Sequence, residues 1–362
     1  LKIYLFTKYL ANYGGAERIA FRFAQYLSEK GIGVKVFCGK NKLNAPVNFE
    51  VQEIGLGKSR YGKAKVFYDR ASEIAEQLDG VVFSFERMQN ADIYRPGGGV
   101  HKIFMQNSLR GLNGYQKLRK KIKRAIDPVN RLNPLIEAKT FASNRLKYVI
   151  ANSYKLKKEL ESEYPDTSGE IVVIHNGVKK EIFNFERRTL LSEKNRNEVK
   201  IGFAASNFQL KGLAYLIEAL ALLPENFTLQ VAGGRNPDQY IKLAKSISVE
   251  KRVTFLGKVS EMDKFYANID VFCLPTFFDN FANVISEAVA MGTPSCTSEF
   301  AGSNEIIKKG INGDVFTEIT PEKIAESINV CAKIKPDDFS KYIQSDTEVF
   351  DRYLEMCVKA FK

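Results

Sequence analysis

At 362 residues the chain exceeds what one hydrophobic core usually serves, so two domains are expected. Its 44% hydrophobic and 27% charged residues are the ordinary balance of a soluble globular protein, and no run of about eighteen apolar residues is present to span a membrane. The formal net charge of +12 attracts polyanions, whether nucleic acid, anionic lipid or a phosphorylated substrate. Five scattered cysteines (Cys38, Cys273, Cys296, Cys331, Cys357) show no CxxC spacing, which argues against a disulfide framework or zinc site and suits a reducing cytoplasm. With only two histidines, His101 and His175, a transition-metal site is hard to assemble, so no protein-bound metal is expected.

In chain order, the opening LKIYLFTKYLANYGGAER is too short in its apolar part for a signal peptide and lacks a cleavage site. It reads as a first buried strand, residues 2–7, followed by a loop and Gly14-Gly15. Apolar Ile19, Phe23, Tyr26 and Leu27 then follow helical spacing, Gly31 stops the helix, and Val34, Val36 and Cys38 alternate as a strand. Strand, helix and strand in so short a span make a βαβ unit. Further strands are expected at 81–85, 148–151 and 171–174, and HNGV at 175–178 closes the first half. The polar stretch 184–199 has no clean period and reads as linker. From Lys200 the alternation restarts with KIGFAA, a helix over 211–223, and strands in TLQVAGG, RVTFLG, DVFCLP and TPSCTS. The expected fold is α/β: two Rossmann-like β/α/β domains, at 1–178 and 200–342, joined by a linker at 179–199. Ligands belong at the carboxyl ends of the strands, facing the cleft between the domains.

The stretch 275–306, PTFFDNFANVISEAVAMGTPSCTSEFAGSNEI, carries the most chemistry. It places Asp279 just before a helix expected to begin near Phe281, with Glu287 two turns in and Gly292 ending it before Pro294. A helix N-terminus presents free N–H groups and a positive dipole end, which suit a diphosphate. Ionised carboxylates accept several donors, so Asp279 can take sugar hydroxyls and Glu287 a ribose diol. Spacing alone leaves a second reading open, in which Asp279 caps the helix and Glu287 lies on a solvated face.

The pattern resembles the signature of retaining GT-B transferases of glycosyltransferase family four, E-x-F-G-x-x-x-x-E-A-M/V-A-x-G-x-P, against DNFANVISEAVAMGTP here. GGAER, IANSYKLKK, VIHNGV, GFAASNFQLKG, LQVAGG, VTFLGKV and IDVFCLP fall in family order over nearly the whole chain. The opening KYLANYGGAER, the segment DIYRPGGGVH and the basic insert after it are similar to the lipopolysaccharide core glucosyltransferase I group. The resemblance implies that Glu287 holds the nucleotide ribose and Asp279 contacts donor-sugar hydroxyls. Asp279 is one methylene shorter than the family's Glu, and Ala282 replaces the usual Gly. It implies further that backbone groups of Asn280, Phe281, Ala282 and Asn283 face the diphosphate or sugar, that Lys211 of the KG motif neutralises departing phosphate, and that Gly257, Lys258 and Val259 read the base edge. Leu210 stands where related sequences place Arg. Gly14 and Gly15 are expected to approach the diphosphate from the other wall, although a plain tight turn is the usual explanation of such a pair; they do not form the dinucleotide fingerprint GxGxxG. His101, after Gly97-Gly98-Gly99, is expected near the donor sugar with a catalytic role alongside Lys211 and Asp279, while His175 reads as structural. The resemblance also implies a final helix over 343–362 that crosses back onto the first domain, retention of anomeric configuration, and a UDP-sugar co-substrate with no bound cofactor.

Between His101 and Ile126 there is no acidic residue, against Lys117, Arg119, Lys120, Lys121, Lys123 and Arg124 among others. The insert spans 102–147. Tyr115, Leu118, Ile122 and Ala125 make an apolar stripe beside the cations, which suits an anionic membrane surface. The stripe could instead pack on the domain. The combined expectation is a cytoplasmic, peripherally membrane-associated hexosyltransferase, moving a hexose, glucose before others, from a UDP-sugar to a lipopolysaccharide core or other membrane glycolipid acceptor, with no nucleic-acid partner. Three rivals stand beside it: a UDP-sugar epimerase of the same fold, a basic polyanion-binding protein without catalysis, and a degenerate transferase.

Overall fold

The computed structural model describes residues 1–12, 14–192, 197–234 and 236–362. Two compact units divide the chain, one of Leu1–His175 with Thr347–Lys362, the other of Asn176–Asp346.

The first unit runs β1 (Lys2–Leu10), α1 (Ala16–Glu29), β2 (Gly33–Asn41), β3 (Glu50–Glu53), α2 (Arg60–Glu76), β4 (Val81–Ser84), β5 (Ile93–Tyr94), α3 (His101–Asn107), α4 (Gly114–Ile126), α5 (Val129–Phe141), β6 (Tyr148–Ala151), α6 (Tyr154–Glu163) and β7 (Glu170–Val173). Its strands form a parallel sheet in the order β3-β2-β1-β4-β5-β6-β7. Strands covered by helices on both faces carry continuous apolar runs, as β4 does with all of its residues buried. Helix α1 lays Ala20, Phe23, Ala24 and Leu27 into the same core.

The second unit runs α7 (Phe185–Leu191), β8 (Val199–Ala205), α8 (Leu213–Ala221), β9 (Phe227–Gly233), α9 (Asp238–Ser246), β10 (Val253–Gly257), α10 (Met262–Ala267), β11 (Val271–Leu274), α11 (Asn283–Ala290), β12 (Ser295–Ser298), β13 (Gly313–Phe316) and α12 (Pro321–Ala332). All six strands are parallel, in the order β10-β9-β8-β11-β12-β13. Numbered within the unit this is 3-2-1-4-5-6, the doubly wound order whose direction reverses between its first and fourth strands. Both units are therefore Rossmann-like, as GT-B proteins are built.

The last helix, α13 (Asp346–Phe361), lies almost wholly in the first unit. Val349, Phe350, Tyr353, Met356, Cys357 and Ala360 join that unit's core. Tyr353 meets Phe23 edge-on at 5.4 Å, and its hydroxyl accepts from Arg95 Nε at 2.8 Å. All five cysteines are free and buried.

The stretch 184–199 is more than a linker. Asn184 caps α7 by accepting from the Arg187 N–H at 2.8 Å, and the buried side of this helix is supplied by Arg188. An arginine at the buried position hides the apolar period on which a helix is recognised; residues 193–196 lie outside those described. Strands β3, β5 and β13 went unanticipated because they are a polar edge (EVQE), a two-residue strand and a short Gly-Asp start. The helix expected near Phe281 begins at Asn283. Its end is where Gly292 marks it: that glycine adopts φ 72°, and the Thr293 N–H reaches back to the Ala288 carbonyl at 2.9 Å.

Candidate functional site

In the second sheet the direction reverses between β8 and β11, which are hydrogen-bonded neighbours. The loops leaving their carboxyl ends, 206–212 and 275–282, therefore emerge side by side. The first loop is shaped by Asn207, whose side chain accepts from the Leu210 N–H at 3.1 Å and whose carbonyl accepts from the Lys211 N–H at 3.1 Å. Gly212 follows at φ 74°, and a Cβ there would run into the Pro275 carbonyl oxygen. Only glycine permits so close an approach. The loops are tied by the Phe277 N–H donating to the Leu210 carbonyl at 3.0 Å.

This stitching delivers Lys211 to Asp279. The ammonium donates to one carboxylate oxygen of Asp279 and reaches the Phe278 carbonyl at 3.3 Å. The other oxygen accepts from the Phe281 N–H at 2.9 Å. Asp279 is also held by its backbone, whose carbonyl accepts from Gly302 N–H at 2.9 Å. The side chains of Lys211 and Asp279 keep 17% and 20% of their surface exposed, so the pair is sheltered yet reachable. Asp279 does not cap α11: that position belongs to Ala282, which has no side-chain oxygen to compete for the first-turn N–H groups.

Asn283 opens α11 and accepts from the Asn176 amide at 2.7 Å. One turn on, Glu287 is buried, not solvated, and accepts from the Tyr266 hydroxyl at 3.1 Å. Asn280, Phe281 and Ala282 are buried between the two carboxylates. Gly257 ends β10 at φ 64°, where Lys258 and Val259 line a groove of about 410 Å³ with Gln230, Glu261 and Lys264. Among the described residues no cluster of His, Cys, Asp and Glu could hold a metal ion.

In the first unit Gly14 adopts φ 89° and Gly15 caps α1, both at the carboxyl end of β1. His101 starts α3 and is 8% exposed. Its backbone N–H donates to Glu137 at 3.0 Å, and its ring Nδ1 lies 3.4 Å from the Asn133 amide nitrogen. Nε2 is buried with no partner among the described residues. Glu137 also accepts from Arg87 Nε at 2.8 Å and the Tyr164 hydroxyl at 2.9 Å.

Two family models cover most of the chain: Glycosyltransferase Family 4 over residues 13–181 and Glycosyl transferases group 1 over 198–333. This chain belongs to glycosyltransferase family four. It is 30% identical to an uncharacterized glycosyltransferase of Methanocaldococcus jannaschii over 57% of its own length and 56% of that relative's, so about half of that protein is matched. In fold the transferase is similar to WaaG, a glycosyltransferase involved in lipopolysaccharide biosynthesis, with a TM-score of 0.75 and 20% identity over 99% of this chain and 98% of that one. It is similar also to HepE of Anabaena in complex with UDP and glucose, with a TM-score of 0.64 and 17% identity over 98% of this chain and 99% of that one.

In the transferase's second unit, Lys211, Asp279, Asn280, Phe281, Ala282, Asn283 and Glu287 share one neighbourhood around the start of α11. Two of their supports were not anticipated, Tyr266 and Asn176. Each carries a legible signal: Tyr266 is a hydroxyl inside an apolar helix–strand passage, FYANIDVFCLP, and Asn176 lies in the quoted HNGV turn.

The basic insert holds α4, capped by Asn113 and without a single buried residue. Tyr115, Leu118, Ile122 and Ile126 are 76%, 58%, 56% and 75% exposed, so the apolar stripe turns outward instead of packing on the domain. Of the six cations expected to face a membrane, two do otherwise. Lys120 donates to the Ser108 carbonyl at 3.1 Å, and Arg124 donates to the Met105 carbonyl at 2.6 Å and Ser108 Oγ at 2.7 Å. They anchor α4 to the carboxyl end of α3, where free carbonyls favour cations. No helix among the described residues is long and apolar enough to cross a membrane.

Burial first, then the Arg87 guanidinium, holds the His101 imidazole below its ordinary pKa; Arg124 and Arg60 add to this and Glu137 opposes it. The unfolded chain thus binds this proton at higher pH than the fold does, so stability contributed above the unfolded pKa of about 6.5 is lost as pH falls below it. His101→Gln is expected to lower the melting temperature less than wild type does on going from about pH 7 to about pH 5. Parallel losses in the two proteins would show that His101 is not held neutral.

Proposed function

We propose that this family-four transferase moves a hexose, glucose before others, from a UDP-sugar to a lipopolysaccharide core or other membrane glycolipid, with retention of configuration. The observation that carries the proposal is the Lys211–Asp279 pair beside the start of α11, at the reversal point of the second sheet. A diphosphate at the α11 N-terminus places its negative charge against N–H groups and the helix dipole. Lys211 then shifts from Asp279 toward the β-phosphate, where its charge stabilises the departing nucleotide. Asp279 keeps the Phe281 N–H on one oxygen and offers its remaining lone pairs to sugar hydroxyls, since a carboxylate has about four acceptor sites. Glu287 takes the ribose diol, and Gly257, Lys258 and Val259 meet the base.

In the reaction, the bond from the anomeric carbon to the β-phosphate oxygen breaks while an acceptor hydroxyl adds on the same face. The acceptor's proton passes to an oxygen of the departing phosphate. The likeness in fold to HepE, whose complex holds UDP and glucose, supports the donor class. His101 and the Gly14-Gly15 turn are proposed to take part in donor binding, without a bound cofactor or metal.

The acceptor class is supported by α4. Its outward apolar stripe has Arg119 and Lys123 on one helical flank and Lys121 on the other, a surface that lies in a lipid interface. Lys117 adds to the charge, and each cation near an anionic surface contributes about 1 kcal/mol. The transferase is proposed to work at the cytoplasmic face of a membrane on a phosphorylated glycolipid; the fold likeness to WaaG, a glycosyltransferase involved in lipopolysaccharide biosynthesis, supports the lipopolysaccharide part of this reading.

A thermal-shift screen of nucleotide sugars tests the donor. UDP-glucose at about a hundred times its Kd is expected to stabilise by about 2.7 kcal/mol, a shift of a few degrees, and Glu287→Ala to abolish it. A response to GDP-sugars alone would overturn the base assignment, and no response to any nucleotide sugar would overturn the reading. For the membrane, co-sedimentation with anionic vesicles but not neutral ones is expected, weakened at least tenfold in Arg119→Glu/Lys123→Glu. Equal binding to both vesicle types would refute electrostatic docking.

A further inference from the structure

Glu287 poses a physical question that its proposed ribose contact does not answer. A carboxylate 7% exposed is costly to hold in a core unless hydrogen bonds meet it, and the same position filled by an apolar side chain would carry no such penalty. Its neighbour Tyr266 supplies one of those bonds from a ring that is 0% exposed.

That ring has little freedom to choose another partner. Phe183 packs edge-on against it at 6.0 Å and Phe272 at 5.6 Å. The Tyr266 carbonyl accepts from Arg188 Nη1 at 2.7 Å and from Thr293 Oγ1 at 3.0 Å. Arg188 also donates to Thr293 Oγ1 at 2.6 Å and, through Nη2, to the Ile269 carbonyl at 2.9 Å. Backbone and ring are thus pinned from both sides, and the pinning cation comes from α7. The hydroxyl at the far end is delivered to Glu287 Oε2 by a side chain with essentially one available pose.

We infer that Tyr266, seated by Arg188 and Thr293, is a positioning residue that aims the Glu287 carboxylate at the donor's ribose hydroxyls. This rests on the proposed nucleotide-sugar reading of the site. A charge-assisted bond of this kind fixes direction as well as energy, and a ribose diol accepts only a narrow range of carboxylate orientations. Tyr266 touches neither sugar nor phosphate; it acts through Glu287.

The test is a comparison of UDP with 2′-deoxy-UDP, titrated calorimetrically into wild type and Tyr266→Phe. The substitution removes one oxygen and leaves the packing on Phe183 and Phe272, and an unliganded melting temperature within a few degrees of wild type verifies the fold. Wild type is expected to favour UDP about tenfold, the worth of one well-aimed hydrogen bond to a charged group. In Tyr266→Phe the preference should fall to about twofold, while affinity for 2′-deoxy-UDP changes by less than about twofold. An unchanged preference, or equal losses for both nucleotides, would overturn the positioning role and leave the donor reading intact. Failure of wild type to bind UDP at all would overturn both.

Discussion

The ion pair between Lys211 and Asp279 is the contact on which the chemistry proposed for the second unit depends. It exists because β8 and β11 are neighbours in space though far apart in sequence, so that the loops leaving them can be laced together. The lacing is done by backbone: an Asn207 turn, a left-handed Gly212 pressed against Pro275, and a hydrogen bond from Phe277 to Leu210. With the backbone set, the side chains have little choice. Lys211 meets a carboxylate whose other oxygen is already turned inward to the Phe281 N–H. A cation is thereby stored next to the beginning of a helix, in the one part of a doubly wound sheet where a ligand can reach strand ends and helix start together.

The same economy runs through the rest of that unit. Arg188 spends its guanidinium on the carbonyls of Tyr266 and Ile269 and on Thr293, binding α7 to the turns that end α10 and α11. Asn176 holds Asn283 at the first position of α11. Polar groups buried in this way cost stability unless every one is met, and here they rigidify the surroundings of two acidic side chains. In the first unit Glu137 plays a comparable part, gathering Arg87, Tyr164 and the start of α3, where His101 sits.

Much of this is legible in the sequence. The βα alternation, the position of β6, and the end of α11 at Gly292 follow from period and from glycine's tolerance of positive φ. So does the grouping of Asp279 and Glu287 around one helix start. What escaped was governed by tertiary contact. The polar segment carrying α7 has no apolar period because its inward residue is Arg188, whose value lies in carbonyls distant along the chain. Tyr266 is marked in sequence only as a hydroxyl in an apolar passage, and nothing local says that it finds Glu287. The stripe on α4 was visible, but whether it faced the domain or solvent depended on Lys120 and Arg124 turning inward to α3, a choice that charge pattern alone does not express.

A crystal structure of the protein with UDP-glucose tests the central claim most directly. The diphosphate should lie at the backbone N–H groups of Ala282 and Asn283, with Lys211 Nζ drawn from Asp279 to within about 3 Å of a β-phosphate oxygen. A nucleotide bound elsewhere, with Lys211 and Asp279 still joined and the start of α11 vacant, would contradict it.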